Sequence, residues 1–86
     1  MGDADQIRQK ILEELLEASE SELESSEITA DTDLRDDLGL DSLQAVTVVM
    51  ALEQEFEIEV DDQEIDGLRT VGDIFELLAR KTGASA

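Results

Sequence analysis

Between Arg35 and Arg69 the chain contains eleven Asp and Glu residues and not one Lys or Arg. Any fold must leave those acids in water, so only the aliphatic residues set among them can build a core. Their mutual repulsion calls for screening by salt or divalent cations. Composition of this kind leans toward disorder, but the apolar residues recur at helical spacing. Ile7, Ile11 and Leu15 share one helical stripe, widened by Leu12 and Leu16. They predict a first helix over about residues 4–18, capped by Asp3 or Asp5. Serines 19, 21, 25 and 26 compete for backbone hydrogen bonds and end it.

A long loop is expected from there to Leu40, anchored in the core by Ile28, Leu34 and Leu38; loops of this length inside a small domain are often functional. Asp41 and Gln44 have capping-box spacing for a second helix ending near Phe56. The piece Glu57-Ile58-Glu59-Val60 reads as an extended connector rather than a paired strand. Asp61 to Glu64 repeats the capping pattern for a short helix ending near Gly67. Thr70 with Asp73 caps a last helix whose stripe is Val71, Ile74, Phe75 and Leu78. Arg80 and Lys81 complement its C-terminal dipole and Gly83 terminates it. The expectation is an all-α fold: a small four-helix bundle, three main helices and one short, with a long loop between the first two. No repeat or linker divides it, so residues 1–86 form a single domain, ordered over about 4–82 with a flexible C-terminal tail.

Eighty-six residues with two Phe and no Trp, Tyr or Pro give an aliphatic core of modest stability. The net charge of −18 opposes binding to nucleic acid or anionic lipid, which needs a basic patch. Without Cys there is no disulfide, thiolate metal site or Cys nucleophile, and without His the commonest general base and metal ligand is missing. No apolar run approaches the roughly 18 residues of a membrane span. The short acidic start is no signal peptide, which points to the cytoplasm. The chain is not equipped to be an enzyme alone.

The second helix has more apolar surface than one packing face needs. With Ser42 at zero on a helical wheel, Ala45, Val48, Val49, Leu52 and Phe56 fall within roughly 240–340°, and Leu43, Val46 and Met50 within roughly 40–100°. Either the helix is central and buried all round, or Leu43, Val46 and Met50 form an exposed strip for partner proteins. Three other helices are few to surround a fourth, and the flexible Met thioether suits a surface that meets several partners.

Ser42 follows Asp37-Leu38-Gly39-Leu40-Asp41. Most serines near a helix start only cap it, but Asp41 supplies that side chain and leaves Ser42 Oγ free. The unpaired N–H groups and positive dipole end there suit a phosphate ester on this oxygen. With no His, Cys or obvious Lys base nearby, Ser42 is a poor nucleophile for a hydrolase and becomes chemically active only as the acceptor of a group installed by another enzyme. Gly39 either gives such an enzyme close backbone access or supplies a turn of positive φ.

The run Asp37-Leu38-Gly39-Leu40-Asp41-Ser42-Leu43, followed by Val46, Val49-Met50-Ala51-Leu52-Glu53 and Phe56, resembles the acyl carrier protein family over about residues 5–80. The resemblance implies that Ser42 receives a 4′-phosphopantetheine arm from coenzyme A through a magnesium-dependent phosphopantetheinyl transferase. The arm's thiol would hold acyl groups as thioesters, and the chain could fold back between the helices. Asp41 would help the transferase position this Ser. Leu43, Val46 and Met50 match positions that contact partner enzymes, and basic patches on synthases would be drawn to the acidic surface. The protein would work as a monomer. Gln44 and Thr47 stand where carriers of primary bacterial fatty acid synthesis usually have acids. That departure redirects partner contacts and suggests a specialised lipid or polyketide pathway. Asp61 stands where a Pro is common.

The rival is an acidic interaction or weak calcium-binding module with Ser42 unmodified. Asp31-Thr32-Asp33 begins like a calcium loop, but Arg35 and Asp36 fall where a ligand and the Gly should be. The six acids from Glu57 to Asp66 could hold Ca²⁺ or Mg²⁺ loosely, or form a solvated face like the seven Glu between Glu13 and Glu27. No specific metal site is expected.

Overall fold

Helix α1 (Asp3–Ala18) forms on the first stripe, with Ile7, Ile11 and Leu15 buried and Leu12 and Leu16 half-buried beside them. The structure, a computed structural model, describes residues 3–19 and 23–83. Asp5 does not cap α1: the helix starts earlier than expected and has Asp5 inside its first turn. The roles expected of the Asp3 side chain, Ser21 and the tail 84–86 lie outside the described residues. Ser19 closes the helix with its N–H on Leu15 O (2.8 Å), and its Oγ donates to Leu38 O at 2.8 Å. The end of α1 is thereby tied to the segment that leads to Ser42.

The long loop is anchored as expected by Ile28, Leu34 and Leu38, and Leu40 is buried with them. Among its described residues it contains one 3-10 turn, at Ser25–Glu27. Buried backbone must find partners, and here the loop pairs with the segment before the last helix. Leu34 N donates to Arg69 O (2.9 Å) and Val71 N to Thr32 O (3.0 Å), around a lone antiparallel bridge between Asp33 and Thr70. Gly72 N donates to Ala30 O at 2.9 Å. A Cβ at position 72 would also lie 2.9 Å from that oxygen, so only glycine lets the helix start this close to the loop.

Helix α2 (Ser42–Phe56) buries Val48, Val49 and Leu52, with Ala45 and Phe56 half-buried. It ends at Glu57 in the left-handed conformation (φ +55°). The connector that follows is extended, and Val60 N donates to Glu53 Oε2 at 2.8 Å. Helix α3 (Asp62–Asp66) is short; Glu64 Oε2 accepts from Asp61 N and from Lys81 Nζ, both at 3.1 Å, which fastens it to the last helix.

Helix α4 (Val71–Thr82) has the Thr70–Asp73 capping box and a left-handed Gly83 (φ +77°) at its end. Its buried stripe is Val71, Ile74, Leu77 and Leu78. Phe75 is half-buried at the edge rather than central, with the Arg8 guanidinium 5.4 Å from its ring centroid. A ring one position off the stripe can cover the core's flank while α1 covers the ring.

α1 packs against both α2 and α4, and α3 rests on α2. The fold is all-α, a bundle of three main helices and one short one around one aliphatic core. Among the described residues no helix is long and apolar enough to cross a membrane.

Candidate functional site around Ser42

Ser42 is the first residue of α2 and is exposed. The helix is capped by its neighbours: Asp41 Oδ1 accepts from Gln44 N at 2.8 Å, and Gln44 Oε1 accepts from Asp41 N at 3.0 Å. The Ser42 hydroxyl is therefore not needed to close the helix end. Gln44 does a second job, its Nε2 donating to Ala18 O at 3.2 Å. A carboxylate in its place could accept from Asp41 N but could not donate to α1.

The turn before Ser42 is wound around Asp33. Its Oδ1 accepts from Arg35 N and Asp36 N, each at 2.8 Å, and its own N–H donates to Asp37 Oδ2 at 2.8 Å. The Asp36 N–H first, and the Arg35 N–H next, hold the Asp33 carboxyl below its ordinary range, with the Arg69 and Arg35 charges adding to the effect. An Asp used this way is a turn cap, so the resemblance to a calcium loop ends here. Gly39 follows at φ +70° with open space around it: it supplies the left-handed turn that brings the chain to Asp41.

This turn aims Arg35 at Ser42, with Nη2 3.5 Å from Oγ, the outer edge of hydrogen-bond range. Arg69 is fixed opposite by the pairing of its carbonyl with Leu34 N. Both arginines and Ser42 line one cavity of about 430 Å³, whose apolar wall includes Leu40, Val46, Ile65 and Leu68. The structure thus adds two cations to the site that the motif around Ser42 did not single out. The signal in the sequence was their position, since they are the residues that bracket the acid run.

The three residues of the apolar strip divide. Leu43 is 75% and Met50 52% exposed, whereas Val46 is half-buried in the cavity wall. The helix is not buried all round. Thr47 is exposed and its Oγ1 donates to Leu43 O at 3.0 Å, within the helix. Among the described residues no three carboxylates gather into a group that could hold a metal ion; the acids from Glu57 to Asp66 are spread along the connector and α3.

Compared with known proteins, residues 6–78 match the family model described as the phosphopantetheine attachment site. The chain is 45% identical over 69 residues to the acyl carrier protein of Exiguobacterium sibiricum, covering 78% of this chain and 87% of the relative. It is 44% identical over 61 residues to that of Prochlorococcus marinus, covering 71% and 76%. With the acyl carrier protein of Clostridium perfringens it shares 42% identity over 65 residues, 76% of this chain and 86% of the other.

Proposed function

We propose Ser42 Oγ as the point at which this chain is loaded, because the chain belongs to the acyl carrier protein family. Members of this family are carriers, not catalysts, and their 4′-phosphopantetheine arm supplies the thiol that holds acyl groups as thioesters. That thiol is what a chain without Cys lacks. The residues around Ser42 fit the group. The hydroxyl is exposed, Asp41 and Gln44 relieve it of capping, a guanidinium stands beside it for a phosphate, and an apolar-walled cavity opens next to it. The released capping role is the observation on which the reading rests.

In loading, Ser42 Oγ bonds to the pantetheine phosphorus of coenzyme A, the bond from that phosphorus to 3′,5′-ADP breaks, and the hydroxyl proton passes to a base on the transferase. Asp41 beside it, and Leu43 and Met50 on the exposed strip, form the surface that the transferase and the synthases grip. Val46 serves the same face from the cavity wall, and Gln44 and Thr47 border it. Partners with basic patches are drawn to the acidic surface, chiefly raising encounter rates. Copies of charge −18 repel one another, which supports a monomer working beside cytoplasmic synthases. Gln44 and Thr47 remove two acids from the start of α2, which supports a dedicated lipid or polyketide pathway rather than the housekeeping elongation cycle.

Incubation with coenzyme A, Mg²⁺ and a broad-specificity transferase, read by intact mass, tests the attachment point. One phosphopantetheine is added to the wild type and none to Ser42→Ala. Absence of an adduct with several competent transferases favours the unmodified acidic module instead. Holo protein that sustains housekeeping elongation as well as the resident carrier removes the dedicated-pathway reading.

A further inference from the structure

We propose that Arg35 anchors the root of the prosthetic arm, its guanidinium pairing with the phosphodiester on Ser42 Oγ. The proposal rests on the reading of Ser42 as the attachment point. In a chain with 24 acids and six bases, every cation has carboxylates to choose from. Lys10 pairs with Glu14 and Glu55, and Lys81 with Glu64. None of the four arginines forms a salt bridge among the described residues, and what sets Arg35 apart is its side-chain hydrogen bond to the uncharged Ser42 hydroxyl. The Asp33 Oδ1 accepts two backbone N–H bonds from the turn, Arg35's own N–H included, rather than a bond from the Arg35 guanidinium. The turn thus directs the guanidinium at the one oxygen that becomes a phosphate ester.

A guanidinium and a phosphate make a charge-assisted hydrogen-bonded pair. Arg35 and Ser42 line the same cavity, whose wall also carries Arg69 and the carboxylates of Asp33, Asp36, Asp41 and Asp66, so a phosphate is held there by its direct pairing with the guanidinium and not by the charge of the cavity as a whole; Leu43 and Met50 are not part of that lining. Pairing at Arg35 therefore holds the arm's root at the cavity rather than over the exposed strip. Arg35 is a positioning residue that fixes where the root of the arm sits.

Two measurements on holo protein test this. In ¹⁵N-labelled wild type, the Arg35 side-chain Nε–H resonance is compared before and after loading, with Arg80 as a distant control. Loading should move the Arg35 signal and leave Arg80 in place. The ³¹P shift of the phosphodiester is then followed against NaCl in wild type, Arg35→Lys and Arg35→Gln. The salt-dependent part of that shift should be largely lost in Arg35→Gln and partly kept by Arg35→Lys. An Arg35 resonance that ignores loading overturns the proposal, as does a salt response in Arg35→Gln equal to that of wild type. Intact mass separates the two levels. A wild type that never gains the arm overturns the Ser42 reading and this proposal together, while a loaded protein whose Arg35 does not respond overturns this proposal alone.

Discussion

Asp41 and Gln44 cap one another at the start of α2, Asp41 Oδ1 accepting from Gln44 N at 2.8 Å and Gln44 Oε1 accepting from Asp41 N at 3.0 Å. This reciprocal pair leaves the intervening Ser42 hydroxyl free for chemistry. Asp41→Ala removes one half of it and should cost about 1 kcal/mol of stability. Gln44→Glu keeps the acceptor but loses the bond to Ala18 O, a loss of similar size, about 1 kcal/mol. Urea unfolding followed by circular dichroism checks both; an unchanged midpoint in Asp41→Ala means that Ser42 has taken over the cap.

Leu52 and Met50 lie on α2 two residues apart, the first fully buried and the second 52% exposed. Leu52→Ala should lose about 2–5 kcal/mol, a large share of what a domain this small has. Met50→Glu should leave the unfolding midpoint within about 0.5 kcal/mol of wild type, yet slow transfer from synthase partners about tenfold, as expected at an interface hot spot. Thermal melts and acyl-transfer kinetics on the same samples separate the two effects. A Met50→Glu protein that unfolds would show the side chain to be core.

Among the described residues three carboxyls have pKa values below their ordinary ones: Glu64 through the Lys81 ammonium, Asp73 through the Arg69 N–H, and Asp33 through the Asp36 N–H. A lowered folded pKa means that the unfolded chain takes up protons first. The stability these groups contribute is complete above their ordinary values of 3.8 for Asp and 4.5 for Glu and is lost as pH falls through the lower folded values. Acid unfolding should therefore steepen below about pH 4. Asp73→Asn retains an acceptor oxygen for the cap but cannot titrate, so its acid limb should be shallower than that of wild type in a pH series of urea melts.

Glu57 ends α2 at φ +55° without the freedom of a glycine. An L residue there bears a cost of about 1 kcal/mol that Gly avoids, partly offset by the greater entropy Gly has when unfolded. Glu57→Gly should raise stability by up to about 1 kcal/mol, with some gain also from one fewer acid in the run. A lower melting temperature for this variant would show that Glu57 makes a compensating interaction.

Helix boundaries and caps were legible because they depend on residues close in the chain. The stripe Ile7, Ile11 and Leu15, the Asp41–Gln44 and Thr70–Asp73 pairs and the stop at Gly83 all stand where local rules put them. Leu77 and Phe75 exchanged the expected places because they stand at opposite edges of the stripe, roughly 200° apart on a wheel, and which edge turns to the core depends on what packs against it, here Arg8 of α1 over the Phe75 ring. The long loop read as anchor points alone, since its pairing with the segment before α4 joins residues more than thirty positions apart.

The sequence by itself determined the helices, the aliphatic core and a serine relieved of capping, because periodicity and capping act over three or four residues. Tertiary structure alone decided that Val46 turns into a cavity wall while Leu43 and Met50 face solvent, and that Arg35 points at Ser42 with Arg69 on the same cavity. Those outcomes depend on where distant segments come to rest. Charges 34 positions apart in the chain are brought to one cavity by the hydrogen bonds around Asp33 and Thr70, which no local pattern encodes.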